Sequence, residues 1–178
     1  MFKADLDLDR PFTPLSIAVL AVSDTRTLET DTAGALLKSM MEADGHRCAE
    51  RAVCRDDIHE IRGHVLRWVN DPEVDAIITT GGTGFSGRDV TPEALEPLFQ
   101  KRMDGFSVLF HQYSATTVGT SSLQSRATGG LIGTTFVFAL PGSRGACRDG
   151  WEGILRAQLD NRHKPCNFVE LMPRLNAR

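Results

Sequence analysis

The sequence is short of several features that would point to its chemistry at once. Its four cysteines, Cys48, Cys54, Cys147 and Cys166, form no CxxC pair and have no histidine at metal spacing, which argues against a zinc site. His46, His59, His64, His111 and His163 show neither a ligand set nor a catalytic triad. No apolar run is long enough to cross a bilayer, so no membrane partner is expected. The first ten residues alternate acids with leucine and lack the basic stretch and apolar core of a secretory leader. With the scattered thiols, this makes a reducing cytoplasm the expected location. A formal net charge of -3 does not suit a surface that coats nucleic acid, though it allows a local positive pocket. There is no internal repeat and no linker. The 178 residues, 41% of them hydrophobic, read as one domain over residues 15–178. A loose charged arm is expected over residues 1–14, where Phe2, Leu6 and Leu8 could lie on a neighbouring subunit, and a polar tail from about residue 161.

What is present centres on residues 79–93, Thr-Thr-Gly-Gly-Thr-Gly-Phe-Ser-Gly-Arg-Asp-Val-Thr-Pro-Glu. A short apolar run, residues 74–78, precedes them and reads as a buried strand. Four glycines allow a sharp turn and a close approach of backbone to a ligand. Thr91-Pro92-Glu93 opens a helix, with Thr at the N-cap, Pro at the first helical position and an acid in the first turn. A strand, a glycine-rich loop and a helix start in that order commonly build a phosphate site. Asp89 is out of place in a simple anion nest and points to a metal ion or a proton transfer beside the anion.

The rest of the chain alternates strands and helices. Ser16–Val22 is a continuous apolar strand that ends in the polar cluster Ser23-Asp24-Thr25-Arg26. Asp31-Thr32 starts a helix with Ala35, Leu36, Met40 and Met41 inward, closed by Gly45. Residues 46–53 form a more polar strand, nearer an edge. Asp57 with Glu60 has capping-box spacing, and Ile61, Val65, Leu66 and Val69 form the buried stripe of the next helix. Asn70-Asp71-Pro72 breaks it. A short helix follows the glycine loop. Phe106, Leu109, Phe110 and Tyr113 mark another helix, residues 116–125 a loop, residues 134–140 a fourth strong strand, and residues 146–159 a final helix. This pattern predicts a three-layer α/β/α sandwich with a mostly parallel, doubly wound sheet. Ligands bind such sheets outside the carboxyl ends of the strands. The loops at Ser23–Arg26, 79–89 and 141–144, with Asp56, should therefore share one rim.

Several competing motifs fail. Gly82-Thr83-Gly84-Phe85-Ser86-Gly87 matches GxGxxG literally but follows the third strand rather than the first. No Walker lysine is present, so a P-loop is excluded, and the nucleophile-elbow spacing is missed by one residue. Plainer readings stay open: a local cap for Asp89, ordinary helix capping for Asp24, Asp31 and Asp56, and solvated surface positions for Arg88, Arg126 and Arg144, each of which could instead pair with phosphate. Cys147 reads as a small core residue.

Thr79-Thr80-Gly81-Gly82-Thr83-Gly84 followed by Arg88-Asp89-Val90-Thr91-Pro92-Glu93-Ala94 resembles the signature of the molybdopterin-binding family of molybdenum cofactor biosynthesis. Ser23-Asp24-Thr25-Arg26 with Asp31-Thr32-Ala33-Gly34, Ser125-Arg126-Ala127 and Leu140-Pro141-Gly142-Ser143 are similar to that family too, in the same order. The tail Arg162-His163-Lys164-Pro165-Cys166-Asn167-Phe168 resembles its B subgroup, not the longer-tailed subgroup of dedicated adenylyltransferases. The resemblance implies a reaction in which molybdopterin and ATP give adenylylated molybdopterin and pyrophosphate, with Mg²⁺ as cofactor. It implies catalytic and Mg²⁺-holding roles for Asp56 and Asp89, a phosphate cradle at Gly81, Gly82, Thr83 and Gly84 continued by Thr91 and Glu93, a nucleotide or pterin side at Ser23, Asp24 and Asp31, and a molybdopterin end at Ser125, Arg126, Pro141, Gly142 and Ser143. Homotrimers or homohexamers, and a transient contact with the metal-inserting enzyme of the pathway, are also implied. A second reading keeps the pocket without the reaction, as a non-catalytic molybdopterin-binding or assembly protein.

Overall fold

The computed structural model describes residues 5–175; Phe2, read above as part of the arm, lies outside them. A short strand, β1 (Asp5–Leu6), precedes β2 (Ser16–Val22), whose seven residues are all buried. Helix α1 (Thr32–Ala43) leads to β3 (Arg47–Cys54), and α2 (Ile58–Val69) to β4 (Ala76–Thr80). After the glycine loop come α3 (Thr91–Leu95), β5 (Lys101–Arg102), α4 (Asp104–Val118) and the hairpin of β6 (Thr128–Ile132) with β7 (Thr135–Leu140). Helix α5 (Arg144–Gly150) widens into a π turn over Trp151–Leu155 and resumes as α6 (Arg156–Gln158). A last short strand, β8 (His163–Lys164), pairs with β1.

The main sheet has the order β3-β2-β4-β7-β6-β5. Its first four strands are parallel, and β6 and β5 extend it antiparallel. Alternation along the strands divides the core into two layers. Ile17, Val19, Ile78, Phe136 and Phe138 face α1, α4 and α5, where Leu37, Met41, Phe110, Cys147 and Trp151 meet them. Ala18, Leu20, Ile77, Val137 and Ala139 face α2 and α3, against Ile61, Val65, Trp68 and Leu95. This is the three-layer sandwich expected from the sequence. The connections run from β2 outward to β3, then back across to β4, so the strand order switches between β2 and β4. A crevice opens at such a switch point.

Some local readings need correcting. The helix at Thr32 buries Ala33, Gly34, Leu37 and Met41, while Ala35 is exposed. Gly34 faces the sheet: a Cβ there would strike the Asp31 carboxylate and touch Val19 Cγ1 at 3.4 Å. Helix α2 buries Trp68, not Leu66. Asp57 caps it through His59 N and Glu60 N, at 2.9 and 3.0 Å, but Glu60 reaches back to Arg55 N at 3.0 Å, one pairing short of a capping box. Leu109 is exposed, and Ser114 takes the buried place on α4. Residues 5–14 of the arm lie against the tail and the start of β3: Asp7 N donates to Arg162 O at 2.9 Å, Asn161 Nδ2 to Pro11 O at 2.9 Å, and Phe12 stacks edge-on with His46.

Candidate functional site

The carboxyl ends of β2, β4 and β7 open into a cleft of about 590 Å³. From the first loop it takes Ser23, Asp24 and Arg26; from the start of α1, Asp31; from the end of β3, Asp56. Gly81, Gly82, Thr83, Gly84, Ser86, Arg88 and Asp89 form the second wall, and Pro141, Gly142 and Ser143 the third. The turn is built by backbone. Gly81 N donates to Leu140 O at 3.0 Å, and Thr80 Oγ1 to Pro141 O at 2.9 Å, so the second and third walls are tied at their base. Gly81 and Gly82 have φ of +107° and +64°, a region L side chains rarely adopt. A Cβ on Gly81 would collide with Val22 O, and one on Gly82 with Asp56 Oδ1 and Thr91 Oγ1. These two glycines let the loop pass between two strands with no side chain in the way.

The acids of the rim divide into two kinds. Asp31 is 4% exposed. It caps α1 through Ala33 N and Gly34 N at 3.1 and 2.9 Å and accepts from Arg51 Nη1 at 2.9 Å. Asp24 is bound by Arg88 through two bonds, at 3.0 and 2.9 Å, and the guanidinium holds its carboxyl below the usual range. Asp89 Oδ2 accepts from Ser86 N at 2.9 Å, and Ser86 and Gly84 keep Asp89 low as well. The local cap considered for Asp89 thus turns back into the loop, not forward over Val90. Asp56 differs: its Oδ1 is buried without a hydrogen-bond partner. Burial, then the neighbouring charges of Asp24 and Asp89, push its carboxyl above the ordinary range. The backbone of Val90 and the charge of Arg88 offset only part of this, and a carboxylate so placed is a hard oxygen ligand of the kind a divalent cation takes one or two of, completing its shell with phosphate and water. Among the described residues, no group of three or more His, Cys, Asp or Glu side chains is placed to hold a metal ion by itself.

Four of the residues singled out from the sequence stand behind the loop rather than in the cleft. Thr91 is fully buried. It is the first helical residue of α3, not its cap, and its Oγ1 donates to Gly81 O at 2.8 Å. Arg126 braces the loop from outside: its N donates to Thr83 O at 2.8 Å, its Nε to Gly84 O at 2.9 Å and its Nη2 to Asp89 O at 2.9 Å, and it pairs with Glu93. Ser125 Oγ lies 3.5 Å from Thr83 Oγ1. Ser143 also caps α5, accepting from Ala146 N at 3.1 Å. Arg26 and Ser86 line the cleft from loops expected on the rim, without a role of their own having been assigned, and Gln124 joins them from outside those loops. Ser86 could have been found from its place between two glycines, but Gln124 carries no local signal.

A domain family described as a probable molybdopterin binding domain matches residues 18–161. Molybdenum cofactor biosynthesis protein B of Escherichia coli (strain K12) is 43% identical over 157 residues, 88% of this chain and 92% of that protein. The protein of the same name from Bacillus subtilis (strain 168) is 44% identical over 131 residues, 73% of this chain and 77% of that protein. A crystal structure of molybdenum cofactor biosynthesis protein B superposes with a TM-score of 0.85 at 33% identity, covering 95% of this chain and 100% of that one. The chain belongs to the molybdopterin-binding domain family of molybdenum cofactor biosynthesis, and its role lies in the making of that cofactor.

Proposed function

We propose that the cleft binds molybdopterin together with Mg²⁺-ATP and transfers AMP to the pterin's terminal phosphate. One observation carries this reading: a glycine-walled turn meets Asp56, whose buried oxygen has no partner, beside Asp89. An oxygen of the terminal phosphate attacks the α-phosphorus of ATP; that P–O bond forms as the bond to the β-phosphate oxygen breaks, and pyrophosphate leaves with the electron pair. Asp56 and Asp89 fit Mg²⁺, which when bound supplies neutralisation of phosphate charge. The chain's own residues do the positioning. The Gly81–Gly84 turn and Gly142 offer close backbone approach without side chains, and Arg126 and Glu93 fix the loop so that little reorganisation accompanies the reaction. Ser23 and Ser143 supply hydroxyls on the two facing walls. The reading includes a homo-oligomer and delivery of the product to the metal-inserting step of the pathway.

The test is to incubate the purified protein with molybdopterin, Mg²⁺ and ATP and to follow adenylylated pterin and pyrophosphate. Both should form in equal amounts. Tight molybdopterin binding with no pyrophosphate would leave only the binding role.

A further inference from the structure

Resting on the adenylyl-transfer reading, we propose that Arg88 is the side chain that takes the incoming phosphate, and that Asp24 holds it in reserve until a metal-bound anion arrives. Three arginines were candidates for phosphate. Arg126 is committed to Gly84 O, Asp89 O and Glu93, and Arg144 does not line the cleft; Arg88 does, and so does Arg26, whose guanidinium turns back to its own loop and donates to Thr30 O at 3.4 Å. Its only charged hydrogen-bond partner among the described residues is Asp24, across the cleft, and the pair's side chains are 68% and 36% exposed. Ion pairs this exposed are weakly held, and a phosphate presents the same two-pronged acceptor with more charge. The backbone beneath Arg88 is fixed on both sides, through Ser86 N on Asp89 Oδ2 and Arg126 on Asp89 O. The side chain can therefore swing without moving the loop.

The exchange has an electrostatic consequence. Asp24 Oδ1 accepts from Asp56 N at 3.2 Å, so a released Asp24 places a third carboxylate, no longer paired with an arginine, beside Asp56 and Asp89. An anion arriving alone must displace Asp24 and leave three acids facing it. An anion arriving with a divalent cation brings the charge that Arg88 gives up. The Asp24–Arg88 pair thus selects for metal-bound phosphate and rejects the bare anion.

Calorimetric titration with inorganic pyrophosphate tests this, on the full chain, with Mg²⁺ and with chelator. Asp24→Asn frees Arg88 and should tighten metal-free pyrophosphate binding about tenfold, the order of one charge-assisted hydrogen bond. Arg88→Gln should weaken binding in Mg²⁺ by about tenfold or more, and Arg88→Lys should recover part of it. In the double variant the gain from Asp24→Asn should vanish. Asp24→Ala serves as the second release variant if Asp24→Asn unfolds. A loss in Asp24→Asn equal to that in Arg88→Gln, or no change without metal, overturns the proposal and makes the pair a plain loop brace. If wild type makes no adenylylated molybdopterin but this pattern holds, the exchange stands and the transfer reading falls. If transfer proceeds and Asp24→Asn shows no gain, the exchange alone falls.

Discussion

The two ends of the parallel sheet treat their carboxylates differently. At the amino end three acids have structural partners: Asp75 Oδ2 accepts from Ser16 N at 2.7 Å, Asp44 is held by Trp151 Nε1 at 2.8 Å and Arg156 at 2.9 Å, and Asp160 by Arg162 at 2.8 Å. At the carboxyl end Asp31 and Asp24 are paired with arginines in the same manner, but Asp56 has the backbone of Val90 and no ion pair among the described residues. Among the described residues it is the one carboxylate with a buried oxygen lacking a hydrogen bond. Such a group costs stability unless something binds it. The contrast holds for the acids alone, since Ser16 Oγ at the amino end lacks a partner too, and it supports the proposal that a ligand at the carboxyl end supplies what Asp56 lacks.

The largest effect should come from removing that unsatisfied charge. Asp56→Asn and Asp89→Asn should each lower adenylyl transfer by at least about a hundredfold, with circular dichroism unchanged. Pyrophosphate release at the wild-type rate in both variants would remove these acids from the mechanism. Next comes the turn that brings them together. Gly81→Ala forces a side chain onto Val22 O at a φ of +107° and should cost about 3 kcal/mol in urea unfolding. Gly87→Ala, with nothing within 4 Å, should cost almost nothing. Equal effects at the two glycines would mean the loop is not held as described. At the amino end, Asp44→Ala strips Trp151 and Arg156 of their acceptor and should cost about 2 kcal/mol while leaving the rate of transfer unchanged. A parallel loss of transfer would break the contrast between the ends.

How much of this was legible depended on whether the cause was local. Ser16–Val22 showed itself as a buried strand because both its faces are covered, and the polar residues of β3 marked the edge it occupies. The glycine turn was legible because positive φ needs glycine. Strand β6 was not, because its sequence Thr-Gly-Gly-Leu-Ile reads as a breaker. Its glycines answer to distant aromatics: a Cβ on Gly129 would sit 3.2 Å from Phe106 and Phe138, and one on Gly130 would strike the Phe99 ring. The site divided in the same way. Asp56, Asp89 and the loop could be placed on one rim from strand order. That Thr91, Glu93 and Arg126 brace the loop from behind rests on side-chain directions and partners up to 42 positions apart in sequence.

The smallest expected effect sharpens the contrast from midway along the edge strand. Glu50 on β3 accepts from Arg67 through two bonds of 2.8 Å and from Trp68 Nε1 at 2.9 Å, clasping the end of α2. Arg67 chiefly, with Trp68, lowers its pKa from the ordinary 4.5 to about 2. A depressed carboxylate stabilises the fold fully above its ordinary value and loses that contribution as pH falls toward its folded one. The Glu50 side chain is 41% exposed, so solvent screening limits the gain to about 1 kcal/mol. Glu50→Gln should therefore lose about that much at pH 7, as measured by urea unfolding, with adenylyl transfer intact. Between pH 4.5 and 2 the difference from wild type should shrink to nothing. A gap that persists at pH 2 would mean that Glu50 acts through packing, and that its charge, unlike that of the acids at either end, is incidental.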